Sequence, residues 1–305
     1  MADRTPWEAR KVDVGAKLWR LGAVAASGFR VPDGFALDRH EIARCASGRP
    51  LPGAIRARIE REHRALCRRL GSDPPLAVRS AALAEDGQEH SFAGQLDSVL
   101  GVRGVAGIEA AVLRCIASFE APRVAAYRSD FGLATTGLSI GVQQLVRARA
   151  SGVAFSQHPV SHRRDRLVIE AALGFGSAVG DGSVTPDHIE VGRSDRRVLE
   201  RRVANKSLRA VLGADGVRME TVPAEERRQP SLDDTTIGRI VEIVIALEER
   251  LGHPVDIEWA TDDRGVVVVQ ARPIAGAPTS STAPPQWDPL AYASALGFGG
   301  AESDR

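Results

Sequence analysis

Apolar positions recur at helical spacing in two long stretches of the chain. Residues 53–70 put Ile55, Ile59, Leu66 and Leu70 on one face and many arginines on the other. Residues 236–251 put Ile237, Ile240, Val241, Val244, Leu247 and Leu251 on one stripe, with Gly252 as a stop. A shorter helix is expected over 15–27, with Leu18, Leu21 and Ala25 inward and Gly28 after it, and 105–130 reads as mainly helical. Short apolar runs mark strands at Leu76–Val78, Leu138–Val146, Val153–Phe155 and Leu167–Ala171, and at Val255–Trp259 and Val266–Ala271 around the polar turn Thr261–Gly265. Val31-Pro32-Asp33-Gly34-Phe35 is a turn leading into an extended piece, and Ala84–Gln95 is a polar loop. Gly174, Gly176, Gly180 and Gly182 break up the region after Ala171, and residues 276–286 have the Pro, Ser, Thr and Ala content of a linker. No internal repeat is evident. The change of character at Leu138 divides the chain into two α+β lobes, 1–137 and 138–275, and a tail, 276–305.

Composition narrows the classes of partner. With 40 basic and 39 acidic residues the net charge is +1, which speaks against nucleic-acid binding by bulk charge. No apolar run reaches the roughly 18 residues of a membrane span, and Met1–Lys11 lacks the core of a signal peptide. A cytoplasmic protein without a membrane partner is therefore expected. The 3 cysteines, Cys45, Cys67 and Cys115, have no C-x-x-C spacing. They suggest neither a disulfide framework nor a structural zinc site, and each is expected to be a small buried residue. The histidines form no H-E-x-x-H pattern and are expected at the surface or in turns.

Candidate chemistry centres on the closing hairpin. A turn centred on Arg264 would set Glu258 opposite Gln270, and Arg272 would share their face. A carboxylate, an amide oxygen and a guanidinium together suit Mg²⁺ and a terminal phosphate; an exposed strand face with a surface ion pair reads equally well from spacing alone. Arg79, immediately after the apolar Ala77-Val78, is either a phosphate ligand or a solvated charge. Lys17, near a helix start where anions bind well, leaves the same two readings open. Glu170-Ala-Ala-Leu-Gly174-Phe-Gly176 allows close backbone approach to a ligand, or is an ordinary glycine turn; it lacks the G-K-[ST] ending of a Walker A loop.

Taken in order, these segments resemble one family. Val14-Gly-Ala-Lys17 with Gly28-Phe-Arg-Val-Pro32-Asp-Gly34-Phe35 is similar to its opening G-G-K…G-x-x-V-P-x-G-F. Ala77-Val-Arg79-Ser80, Ala84-Glu85-Asp86 and Ser91-Phe-Ala-Gly-Gln95 resemble A-V-R-S-S-A-x-x-E-D…S-F-A-G-Q. Val142-Gln143…Val146 with Ser151-Gly152-Val153…Phe155-Ser156…Pro159, then Glu170…Thr185-Pro186-Asp187, then Asp256-Ile-Glu258-Trp259 and Gln270-Ala-Arg272-Pro273 complete the series. The chain is thereby identified as similar to the N-terminal nucleotide-binding domain of the phosphoenolpyruvate synthase and pyruvate phosphate dikinase family, which includes rifampin phosphotransferase.

The resemblance implies a two-lobed ATP-grasp-like fold that holds ATP between its lobes. By motif match Lys17, Arg79 and Arg272 would hold the phosphates, and Glu258 and Gln270 would hold Mg²⁺. Gln143, Gln144, Leu145 and Val146 would meet the adenine, and the Ala84–Gln95 loop would close over the phosphates. Arg20, Ala81, Leu145 and Ala16 depart from the family's Asn, Ser, Met and Gly without removing a charged group. Full-length relatives carry a swivelling domain with a phosphorylatable histidine, and nothing after Ile274 resembles it. The resemblance thus implies an ATP-splitting subunit, free-standing or excised, that phosphorylates a histidine on a separate protein and so serves an unknown small-molecule acceptor. A self-sufficient small-molecule kinase and a non-catalytic regulatory module are the alternatives.

Overall fold

The computed structural model describes residues 11–83, 98–130, 137–176, 184–213 and 216–274. Contacts divide the chain into two compact units, Met1–Leu145 with Ala214–Val217, and Val146–Gly213 with Arg218–Arg305. The pattern change at Leu138 therefore precedes the unit boundary, because the strand that begins there is hydrogen-bonded into the sheet of the first unit.

That sheet has the order β1-β4-β2-β3, with β1 Gly34–Leu37, β2 Leu76–Ala82, β3 Ser98–Val102 and β4 Leu138–Gln144. The helices are α1 Lys11–Ala26, α2 Arg39–Ile42, α3 Gly53–Leu70, α4 Gly104–Glu120 and α5 Pro122–Asp130. Strand side chains alternate between faces. Leu76, Val78, Ala82, Leu138, Ile140 and Val142 point into the main core, where Ile55, Ile59 and Leu66 of α3 meet Ile108, Val112 and Ile116 of α4. The opposite face takes α1, whose Val14, Leu18 and Leu21 cluster on Ala81. Gly141 makes that contact possible: a Cβ there would lie 2.6 Å from the Leu18 side chain.

The second unit is built on a six-stranded antiparallel sheet, order β12-β11-β5-β6-β7-β8. Its strands are β5 Ala150–Phe155, β6 Arg166–Leu173, β7 Asp187–Gly192, β8 Val198–Arg202, β11 Val255–Asp262 and β12 Gly265–Pro273. β9 Leu208–Gly213 and β10 Gly216–Thr221 form a separate two-stranded sheet. The helix α6, Asp234–Leu251, packs on β11, β12 and β5. Asp233 caps its start by accepting from Thr236 N at 2.7 Å, and Gly252, φ 76°, ends it in the left-handed region. Gly152 lets β5 lie close to β6, since a Cβ there would fall 1.8 Å from the Glu170 carbonyl oxygen.

A buried ion pair ties the loops of this unit together. Asp187 Oδ1 accepts from Lys206 Nζ at 2.6 Å and from Ala204 N at 2.8 Å, while Oδ2 accepts from Ser231 N at 2.7 Å. Among the described residues no helix is long and apolar enough to cross a membrane. The Ala84–Gln95 loop, Gly180, Gly182 and the 276–305 tail lie outside the described residues.

Candidate functional site

The β11–β12 hairpin turns at Asp263-Arg264, with Asp262 paired to Gly265. A regular ladder from that turn would set Glu258 against Val269. A β-bulge between Glu258 and Trp259 intervenes: Trp259 pairs with Val268, and Glu258 pairs with Gln270. Val269 is the extra residue, and beyond it the register is the one that symmetry about Arg264 gives. Glu258 and Gln270 are thus direct cross-strand neighbours with side chains on one face.

The same register pairs Asp256 with Arg272. Arg272 Nε donates to Asp256 Oδ1 at 2.8 Å and to Oδ2 at 2.6 Å. Asp256 is absent from the ligand set expected from sequence, although it obeys the same symmetry and sits two residues before Glu258. Gln270 is 9% exposed, and its buried Oε1 has no hydrogen-bond partner. A buried unsatisfied amide oxygen costs about 1–3 kcal/mol. Its place opposite a half-buried carboxylate gives two hard oxygen donors on one face, a donor set that fits Mg²⁺.

This face continues in both directions. Along the strands, Val146, Ala260, Val267 and Val269 form an apolar cluster beside the Glu258–Gln270 pair. Across the strands, the register runs Gln270, Glu258, Val153, Glu170, His188 and Arg202. Glu170 is fully buried; its Oε1 is 2.6 Å from His188 Nδ1, and its Oε2 has no hydrogen-bond partner. Burial raises the Glu170 carboxyl above its ordinary range. Burial alone would lower His188, but the hydrogen bond and charge of Glu170, with the charge of Glu190, raise it overall. His188 therefore departs from the surface or turn place expected of it. It lies in β7, 4% exposed, because the carboxylate on the next strand satisfies its ring nitrogen. Glu170 appears in the sequence only as one polar residue in an apolar run, a pattern that signals a buried polar group without saying what meets it.

In the first unit, Arg79 lies inside β2 and not immediately after it, because the small residues Ser80, Ala81 and Ala82 carry the strand onward. It pairs with Gly141 on one side and Ser98 on the other. Ala77, paired with Gln143, stands two residues away on the same face, so Arg79 and Gln143 share the face that α1 covers. Lys17 belongs to α1. Gly15, at φ 73° and ψ 164°, interrupts that helix, so Lys17 falls in the first turn of the following segment, where the helix dipole favours an anion. Arg20 is buried. The structure thus brings Lys17, Arg79 and Gln143 to one side of the first sheet.

The chain at the end of β4 is held by its own backbone. Gln144 N donates to Asp33 O at 2.7 Å, and Leu145 N donates to Pro75 O at 2.8 Å. Leu145 and Val146 are each 8% exposed. The amide hydrogens of Gln144 and Leu145 are therefore committed within the protein.

Residues 37–288 match the model of the pyruvate phosphate dikinase AMP/ATP-binding domain, and the chain belongs to that family. It is 36% identical over 228 residues to a probable phosphoenolpyruvate synthase of Methanocaldococcus jannaschii, covering 73% of this chain and 19% of that one. It is 34% identical over 298 residues to a rifampicin phosphotransferase of a Streptomyces species, covering 86% of this chain and 34% of that one. The chain thus spans about a fifth to a third of the length of these relatives. A dinucleotide-forming acetyl-coenzyme A synthetase of Ca. Korarchaeum cryptofilum superposes with a TM-score of 0.41 at 11% identity, covering 84% of this chain and 90% of that one. Family membership makes this an AMP/ATP-binding domain of the pyruvate phosphate dikinase kind, with an ATP-grasp-like fold.

Proposed function

We propose that this chain binds Mg-ATP and splits it to phosphorylate a histidine on a separate swivelling protein, which passes the phosphoryl group to a small molecule. On this reading it works in the cytoplasm, and AMP is the expected nucleotide product. The observation that carries it is the buried, unpartnered Gln270 Oε1 beside Glu258. Glu258 and Gln270 would hold magnesium, which neutralises polyphosphate charge when bound.

The remaining roles follow from each residue's chemistry. Asp256 grips Arg272 by its Nε edge and so fixes the plane of the guanidinium. A guanidinium held in one plane can meet a phosphate bidentately without losing further freedom. The apolar Val146, Ala260 and Val267 cluster suits the flat face of adenine. It lies four residues along β11 from the Asp256–Arg272 pair, about 13 Å at the usual rise per residue. Adenine at one end and phosphates at the other therefore fit a single strand's length. By the family resemblance, the backbone from Gln144 to Val146 would meet the adenine edge. Lys17 and Arg79 add positive charge that can follow the transferred phosphoryl group, where electrostatic stabilisation matters most.

Two measurements test this. Millimolar Mg-ATP should raise the melting temperature of the folded chain, because a ligand at about 100 times its dissociation constant adds roughly 2.7 kcal/mol to the native state. ATP labelled at the β or γ position should give labelled acceptor only when the histidine-bearing partner is present. Label reaching the acceptor with this chain alone would replace the relay by direct kinase action.

A further inference from the structure

The C-terminal end of α3 carries a separate group of metal-ligating side chains. His63 and Cys67 are four residues apart and share one face of the helix. The helix stops at Gly71, whose φ of 69° reverses the chain. That reversal brings Asp73 back beside both. His63 Nε2 is 2.9 Å from Asp73 Oδ1, and Cys67 Sγ is 3.5 Å from His63 Nε2 and 3.9 Å from Asp73 Oδ1.

Zinc bonds of about 2.0–2.3 Å at tetrahedral angles set ligand atoms roughly 3.3–3.6 Å apart. The observed triangle closes on such an ion with side-chain shifts of about half an ångström. Among the described residues these three side chains hydrogen-bond only one another. The Asp73 side chain is 48% exposed, which leaves a path for an ion and a fourth position for water. The other cluster of this kind, His188, Glu190 and Glu200, is poorer, because Arg166 pairs with Glu190 and Arg202 with Glu200.

We propose that His63, Cys67 and Asp73 form a binding site for a borderline-soft divalent cation of the zinc class, with water as the fourth ligand. Thiolate and imidazole select against magnesium and calcium. The thiol must give up its proton to bind, so metal uptake releases a proton. The bound ion ties the turn after α3 to the helix just ahead of β2, the strand that carries Arg79.

The test uses the reduced full chain, stripped of metal and titrated with cobalt(II) and then zinc. One equivalent of cobalt should give a thiolate-to-metal charge-transfer band in the near ultraviolet, with the visible bands of four-coordinate cobalt. Zinc should bleach both and raise the melting temperature; magnesium should do neither. Cys67→Ser should lose the charge-transfer band. Asp73→Asn should keep it and bind zinc at least about tenfold more weakly, the loss seen even when a group that merely supports a ligand is changed. His63→Asn gives a second comparison if Cys67→Ser fails to fold, and it too should weaken binding. No band in the wild type, or an undiminished band in Cys67→Ser, overturns the site.

Discussion

Arg272 and Asp256 face each other across the closing hairpin, with one nitrogen of the guanidinium shared between both oxygens of the carboxylate. The cation proposed to meet phosphate is thus oriented by an anion of its own strand pair. Asp256→Ala should cost about 1.5–3 kcal/mol of stability, the usual range for hydrogen bonds to charged groups. It should also weaken Mg-ATP binding, although it removes a negative charge. A simple charge account predicts tighter binding, so calorimetric titration of the variant with Mg-ATP separates the two.

Gln270→Leu should separate stability from function. The wild-type Oε1 is buried without a partner, so an apolar side chain of similar size should leave the unfolding free energy unchanged or raise it by about 1 kcal/mol. The same change should weaken Mg-ATP binding at least about tenfold, equivalent to roughly 1.4 kcal/mol. Urea denaturation without nucleotide, followed by thermal shift with it, reads both. Equal losses in the two assays would remove Gln270 from the ligand set. Glu258→Gln should act in the same sense on the magnesium-dependent part of the shift.

Lys206→Met should destabilise the chain by about 3–5 kcal/mol, since it leaves a buried carboxylate without its cation. Asp187 would retain its two backbone donors, which places the loss toward the lower end. The check is the midpoint of chemical denaturation, with the slope used to confirm an unchanged transition.

The His188–Glu170 pair should make stability fall as pH rises. His188 is raised above its ordinary 6.5, so its contribution is complete below that value and is lost as pH climbs through the folded value. Glu170 is raised too, chiefly by burial, and acts in the same direction. As pH rises above His188's ordinary 6.5, the wild type should lose more unfolding free energy than the double variant Glu170→Gln/His188→Gln, which carries neither titrating group. Parallel curves for the two proteins would show that the pair does not hold a proton on folding.

Much of this was legible in the residues. The helices over 53–70 and 236–251 carry apolar stripes ended by glycine, and both appear with the stripe buried except at its last residue, Leu70 or Leu251, which is half-buried. The pairing of Glu258 with Gln270 follows from symmetry about one turn residue, although a bulge achieves it. What escaped is explained by burial. β8 and β10 are exposed or half-buried, β9 is mostly half-buried with only Ala210 fully inside, and none shows apolar alternation. β7 is buried throughout yet reads Asp-His-Ile-Glu-Val-Gly, because its polar side chains are satisfied by Lys206, Glu170 and Arg166. Such partners come from other strands and loops, and sequence spacing does not reveal them. Arg79 looked like a strand end because apolar bulk stops at Val78, whereas buried alanines extend β2 to Ala82.

The bulge at Val269 also makes the hairpin a ruler that counts in odd numbers. An unbroken ladder with a two-residue turn leaves an even number of residues between any paired positions; here Trp259 through Val269 is odd. Adding or removing one residue in this stretch slips Gln270 away from Glu258 and turns alternate side chains to the other face. Adding one residue to each strand beside the turn lengthens the hairpin and leaves that pair, and Asp256 with Arg272, where they are. Length variation here should therefore come in twos.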